Sequence, residues 1–82
     1  MSEADIASRL IAALTEHVAE TAGAEARLVT ASFDVLAQGE PARVDARVER
    51  KTRTLVFAAA DAFSADGAHI AAASSVHRTP QA

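Results

Sequence analysis

Residues 43–78 read RVDARVERKTRTLVFAAADAFSADGAHIAAASSVHR. In the first nine positions apolar and charged residues alternate, which is the period of two expected of a strand with one buried and one wet face. A short connection at residues 50–53 leads into a second strand, and Asp66-Gly67 has the residue types of a hairpin turn before a third. The run therefore predicts three strands that follow one another in an antiparallel meander.

The middle strand of this run is apolar on both faces. One parity holds Leu55, Phe57, Ala59 and Phe63, and the other holds Val56, Ala58, Ala60 and Ala62. A strand of this kind usually lies in the centre of a sheet, covered on both sides. We expect a helix to cover one face and another subunit to cover the other.

A helix pattern precedes the strands. Ser2 and Asp5 suit a helix start, and apolar residues then recur at spacings of three and four up to Gly23. Residues 29–35 alternate with a period of two and predict one more strand. The expected elements are a helix over about 3–22 and strands over about 26–36, 43–50, 53–64 and 68–78, with a mobile tail from Thr79.

Length and composition bound the possible functions. We expect the 82 residues to form a single domain, 1–82. A domain of this size has a small hydrophobic core, so we also expect it to self-associate. The absence of cysteine excludes a disulfide framework, a thiolate zinc site and a cysteine nucleophile. The net charge of −3 predicts no nucleic-acid partner. We expect no membrane segment and a cytoplasmic protein, because no long apolar run and no signal-like start occur.

Two phrases carry a resemblance to a known family. Residues 48–57 read VERKTRTLVF and residues 66–74 read DGAHIAAAS. An Arg-x-x-Arg-Thr-like turn between two long strands, an acidic-Gly turn and an alanine-rich last strand resemble the hotdog-fold thioesterase superfamily. The similarity is greatest to small acyl-CoA thioesterases of the phenylacetate-degradation type, and it covers Ile6 to about Arg78.

The resemblance implies a fold, an assembly and an activity. The fold is α+β and hotdog-like, with one long helix wrapped by a four-stranded antiparallel sheet. Subunits pair into a homodimer or homotetramer, and acyl-thioester pockets form between them. No cofactor is implied, because coenzyme A enters as part of the substrate. The family's N-terminal strand and glycine-rich loop have no counterpart here, since the chain opens almost directly into the helix.

The resemblance also suggests site residues. The helix text at residues 12–19, AALTEHVA, matches a family phrase that carries an acid, and Glu16 stands in its place. Glu16 would orient or deprotonate the water that attacks the thioester. Arg53 and Thr54 lie at the turn that meets coenzyme A in related proteins, and a guanidinium fork suits phosphate. The plainer interpretation is that Glu16 and Arg53 are solvated surface residues.

Other polar residues leave alternatives open. Asp61 interrupts an apolar strand and is either a buried acid with a raised pKa or a solubilising charge, depending on its face. His69 and His77 share a strand parity but lie roughly 26 Å apart along an extended strand, so no metal site is predicted. His17 borders the apolar stripe of the helix, where a packed or hydrogen-bonded role is the more common one.

Three functional hypotheses follow. The first is an acyl-CoA thioesterase-like enzyme. The second is a non-catalytic hotdog domain that binds a small ligand or drives oligomerisation. The third is another helix-plus-meander fold, such as a cystatin-like or nuclear-transport-factor-like binding domain. A helix wrapped by its sheet distinguishes the first two from the third, in which the helix packs on an open face.

Overall fold

The computed structural model describes residues 2–23 and 25–80. Helix α1 (Glu3–Ala22) is followed by strands β1 (Arg27–Val35), β2 (Arg43–Lys51), β3 (Leu55–Phe63) and β4 (His69–Arg78). The strands form one antiparallel sheet in the order β1-β4-β3-β2. The predicted α+β fold, one long helix on a four-stranded antiparallel sheet, is confirmed and is consistent with a hotdog-like arrangement. Each element begins and ends within two residues of its predicted bounds.

Local hydrogen bonds explain both ends of the helix. The Ser2 hydroxyl accepts from the backbone N–H of Asp5 at 3.2 Å, and the Asp5 carboxylate accepts from the Ser2 backbone N–H at 3.2 Å. This capping box satisfies N–H groups that the first turn leaves free. At the other end Gly23 has φ of 107°, which favours glycine, and its N–H donates to the Ala19 carbonyl at 3.1 Å.

In the core, large side chains of the helix pack on strand side chains that are mostly alanine. Ile6, Leu10, Leu14 and Val18 are all buried on one face of α1. They pack on a floor made by β3 and β4, whose buried members are Val56, Ala58, Ala60, Ala62, Ile70, Ala71 and Ala73. The helix contacts all four strands, β2 and β3 most and β1 least. None of the helices that the structure describes is long and apolar enough to cross a membrane.

A sheet irregularity corrects the predicted parity of two histidines. Ala62 pairs with Ala71, but Phe63 pairs with His69, so the register shifts between these pairs. A shift of one residue turns the following side chains to the other face. His69 therefore lies on the face away from α1, opposite Phe63, whereas His77 lies opposite Val56 on the helix side. The prediction that the two histidines share a face was wrong.

His77 is buried together with Ser75. The two side chains are 1% and 3% exposed, and Ser75 Oγ lies 2.8 Å from His77 Nε2. Burial lowers the pKa of His77, because the charged imidazolium loses its hydration in this environment. The two side chains therefore hydrogen-bond to each other inside the core, where the lowered pKa favours the neutral form of His77.

We expect stability to fall as the pH drops below the ordinary histidine pKa of about 6.5, because the unfolded chain then binds a proton that buried His77 resists. The loss amounts to about 1.4 kcal/mol for each unit by which the folded pKa is depressed. Chemical unfolding from pH 7.5 to pH 5 measures it, and His77→Gln should reduce the slope. An identical slope in His77→Gln would show that His77 does not carry this dependence.

Candidate functional site

Glu16 lies on the rim of a shallow groove between the helix and the start of β2. The groove has a volume of about 370 Å³ and is lined by Arg9, Ala12, Ala13, Glu16, Pro41, Ala42, Arg43 and Val44. Arg9 holds its two walls together by donating from Nη1 to the Pro41 carbonyl at 3.2 Å. Glu16 itself is exposed and has no hydrogen bond or ion pair with the described residues. Its carboxylate is therefore accessible to a water or a ligand in this groove.

Thr54 lies in a different depression, at the end of the sheet where β1 begins and β4 ends. This cleft has a volume of about 550 Å³, and its lining residues are Glu25, Arg27, Thr54, Leu55, Arg78, Thr79 and Pro80. Arg53 does not line it, although its carbonyl accepts a hydrogen bond from Thr79 Oγ1 at 3.2 Å. We refer to this depression as the Arg27–Arg78 cleft.

Backbone hydrogen bonds build the wall of the Arg27–Arg78 cleft. In the β2–β3 turn the Thr52 N–H donates to the Leu55 carbonyl at 2.8 Å, and the Leu55 N–H donates to the Thr52 hydroxyl at 3.0 Å. The Thr79 N–H then donates to the Thr54 carbonyl at 2.9 Å. Thr79, the first residue of the tail that we expected to be mobile, is 8% exposed and hydrogen-bonded to this turn. Gln81 and Ala82, the last two residues of that tail, lie outside the described residues.

The structure does not bring the predicted site residues into one pocket. The groove beside Glu16 and the cleft beside Thr54 have no lining residue in common. A single copy of the chain therefore offers a carboxylate in one place and the coenzyme A candidates in another. Sequence reasoning missed Arg27 and Arg78, because only the pairing of β1 with β4, which are far apart in the chain, makes them neighbours.

Asp61 points away from the helix and is held by two partners. Arg47 Nη1 donates to its Oδ2 at 2.7 Å, and His69 Nε2 lies 2.8 Å from its Oδ1. The hydrogen bond from Arg47, and then that from His69, lowers the pKa of Asp61 below its ordinary value. The alternative of a buried acid with a raised pKa was wrong. Asp61 is an ion-pair acceptor in a polar cluster on the outer face of the sheet.

The aromatic ring of Phe63 contacts His69 of this polar cluster and Arg43 on β2. The His69 ring stacks on Phe63 with centroids 5.1 Å apart, and the Arg43 guanidinium lies 4.4 Å from the Phe63 centroid. Stacked rings and cations over aromatic faces contribute modestly at exposed sites. The cluster therefore ties β2, β3 and β4 together on the face opposite the helix.

Exposed apolar residues are concentrated on β1 and the residue after it. The five large apolar side chains that are exposed in the described structure are Leu28, Val29, Phe33, Val35 and Leu36. Phe33 and Val35 face the helix side of the sheet, since they lie opposite the buried Ala73 and Ala71. They remain uncovered because α1 lies mainly over β2 and β3. We refer to these five residues as the β1 apolar edge.

Sequence comparison gives no match for this chain. No protein-family model matches the chain, and no protein in a search of curated sequences matches it. Across residues 2–23 and 25–80, no group of three or more histidine and acidic side chains is placed to hold a metal ion. The functional argument therefore depends on the residues quoted above and on the geometry of the groove, the cleft and the β1 apolar edge.

We expect Asp61→Asn to lower the free energy of unfolding by about 1 kcal/mol at pH 7, because an exposed ion pair of this kind contributes little more. The folded pKa of Asp61 is lowered, so its contribution is present above the unfolded value of about 3.9 and is lost as the pH falls below it. Urea unfolding of both proteins at pH 7 and pH 3 measures this. Equal differences at the two pH values would contradict the assignment.

Proposed function

We propose that this chain is a homo-oligomeric hotdog-like protein that binds acyl-CoA thioesters at a subunit interface and hydrolyses them with Glu16 as general base. The observation that carries the proposal is the β1 apolar edge, an uncovered apolar surface on a strand at the border of the sheet. Such a surface suits both a second subunit and an acyl group. A cytoplasmic location is part of the proposal, because coenzyme A thioesters are made and used inside cells.

The two border strands of the sheet, β1 and β2, differ in their number of charged side chains, and the difference favours subunit pairing through β1. Strand β2, at one border, alternates charged side chains along its length, a pattern that discourages pairing with another chain. Strand β1, at the other border, carries only Arg27 and Asp34 as charges among its nine residues. A long border strand with few charges and exposed apolar residues is a ready template for a further strand.

Glu16 supports hydrolysis through its accessibility. Its carboxylate faces an open groove and has no competing partner among the described residues, so it is free to hold a water molecule. General-base hydrolysis needs one such acid close to the thioester carbonyl. In this proposal the second subunit completes the site, since Glu16 and Thr54 occupy separate depressions within one copy.

The alternative is a non-catalytic hotdog domain that binds a small ligand or drives oligomerisation. Separation of Glu16 from Thr54 within one copy favours it, because a catalytic acid has to lie close to the bound thioester. The β1 apolar edge serves this function equally well. The two proposals differ in whether a folded oligomer turns over thioesters.

We expect the purified protein to hydrolyse at least one member of a panel of acyl-CoA thioesters of different chain length. Glu16→Gln should lower kcat by about 10²-fold or more, because the neutral amide cannot accept a proton from water. Release of free thiol measures turnover, and light scattering on the same sample records the mass. Glu20→Gln is the matched control, since Glu20 is also exposed on α1.

Equal activity of Glu16→Gln and the unsubstituted protein would remove Glu16 from the mechanism. A well-folded oligomer without turnover of any thioester would favour the non-catalytic alternative.

We expect Val35→Lys to dissociate the oligomer, because a charge placed in an apolar interface is left desolvated and unpaired. Val35 is 51% exposed, so the substitution should cost the single chain little stability. Ser32→Lys is the matched control, because Ser32 lies opposite exposed Ser74 on the other face of the same strand. Sedimentation velocity at micromolar concentration measures the mass of each protein. An unsubstituted protein that sediments as a monomer would contradict the proposed assembly.

A further inference from the structure

The basic side chains of this protein divide into two groups according to whether they have a partner. In the first group Arg9 donates to a carbonyl, Arg43 and Arg47 pair with carboxylates, and Arg50 lies over the Phe57 ring. The second group makes no side-chain hydrogen bond, ion pair or ring contact within residues 2–23 and 25–80, and its members are Arg27, Lys51, Arg53 and Arg78. Half of the eight basic residues therefore have no such side-chain partner in the described structure.

All members of this second group lie at one end of the sheet. Arg27 begins β1, Arg78 ends β4, Lys51 ends β2, and Arg53 lies in the turn between β2 and β3. The register confirms the proximity, since Arg78 lies opposite both Arg27 on β1 and Leu55 on β3. This end of the sheet is therefore rich in cations although the whole chain has a net charge of −3.

The pairing of Arg27 with Arg78 is unfavourable in the absence of an anion. The two residues are directly opposite each other on neighbouring antiparallel strands. Residues in this relation lie close enough that like charges destabilise the pair. Both residues line the Arg27–Arg78 cleft, and Glu25, which also lines it, lies beyond 4 Å of both guanidinium groups. An anion between the two guanidinium groups would remove the repulsion.

The rest of the cleft suits a small ligand. Its volume of about 550 Å³ is that of a typical small-molecule site. Thr54 and Thr79 are polar members of its lining, and Leu55 and Pro80 contribute apolar surface. A ligand with an anionic group and an apolar or ring-shaped portion therefore matches both parts of the lining.

We propose that the Arg27–Arg78 cleft binds the phosphate groups of a phosphorylated small molecule. Each guanidinium presents a planar fork of donors that matches two phosphate oxygens, so Arg27 and Arg78 together hold a dianionic or diphosphate group. Nucleic acid is disfavoured, because it requires a long basic surface and this one is confined to one end of the sheet. The inference does not require thioester hydrolysis, although Arg53 and Thr54 lie at the same end and coenzyme A belongs to this ligand class.

Pyrophosphate and ADP are the probes, added separately to the purified full chain and followed by calorimetry and by amide chemical shifts. We expect saturable binding, with shifts at residues 27, 54 and 78, and a loss of about tenfold or more in affinity in Arg27→Gln and in Arg78→Gln. Glu25→Gln should tighten binding, because it removes a like charge from the lining. Arg47→Gln, in the polar cluster on the outer face of the sheet, is the matched control and should leave affinity unchanged, because Arg47 lines neither the groove nor the cleft.

Thermal unfolding keeps the test independent of folding defects. Arg27→Gln relieves the repulsion between Arg27 and Arg78, so its unfolding midpoint without ligand should equal or exceed that of the unsubstituted protein. Pyrophosphate should raise the midpoint of the unsubstituted protein but not that of Arg27→Gln. Unchanged affinity in both arginine variants, or tighter binding of single-stranded DNA than of ADP, would overturn the proposal. A phosphate-free acyl thioester of N-acetylcysteamine tests hydrolysis separately, so failure of phosphate binding and failure of catalysis give different results.

Discussion

The packing of α1 on the alanine-rich inner face of β3 and β4 is the interaction on which the other features depend. Leu10 and Leu14 are almost fully buried, and most of the buried strand residues beneath them are alanines. A floor of small residues lets a helix approach a sheet closely, and the large helix side chains then supply most of the buried apolar area. Val44, Ala46 and Val48 of β2 also pack against this core, which is consistent with a helix that lies nearer to β2 and β3 than to β1.

The position of the helix decides which surfaces remain open. Since α1 lies mainly over β2 and β3, the helix-side face of β1 is uncovered and Phe33 and Val35 are exposed. The same placement creates the groove in which Glu16 lies, between the helix and the start of β2. Both the proposed subunit contact and the proposed catalytic acid therefore depend on how a single helix sits on the sheet.

The paired charges around Asp61 and the unpaired Arg27 and Arg78 lie in different parts of the sheet. On the outer face Arg47, Asp61 and His69 satisfy one another, which makes that cluster a structural element of the sheet. At the end of the sheet Arg27 and Arg78 are brought together without any such partner. Because a fold that places like charges side by side loses stability, the arrangement is more informative about ligand binding than the paired charges are. The net charge of −3 for the whole chain gives no indication that this end of the sheet is basic.

Local patterns in the sequence determined the helix, the four strands and their turns, because the period of the apolar residues and the chemistry of Ser2, Gly23 and Gly67 act over a few neighbours. The exposure of Glu16 also followed from its place on the polar side of that helix pattern, whereas its choice as a candidate acid came from the family resemblance. Tertiary structure alone decided the face of Asp61, the separation of His69 from His77 and the meeting of Arg27 with Arg78. These depend on sheet register and on one irregularity in β4, and register is set by pairing between distant segments that no local pattern records.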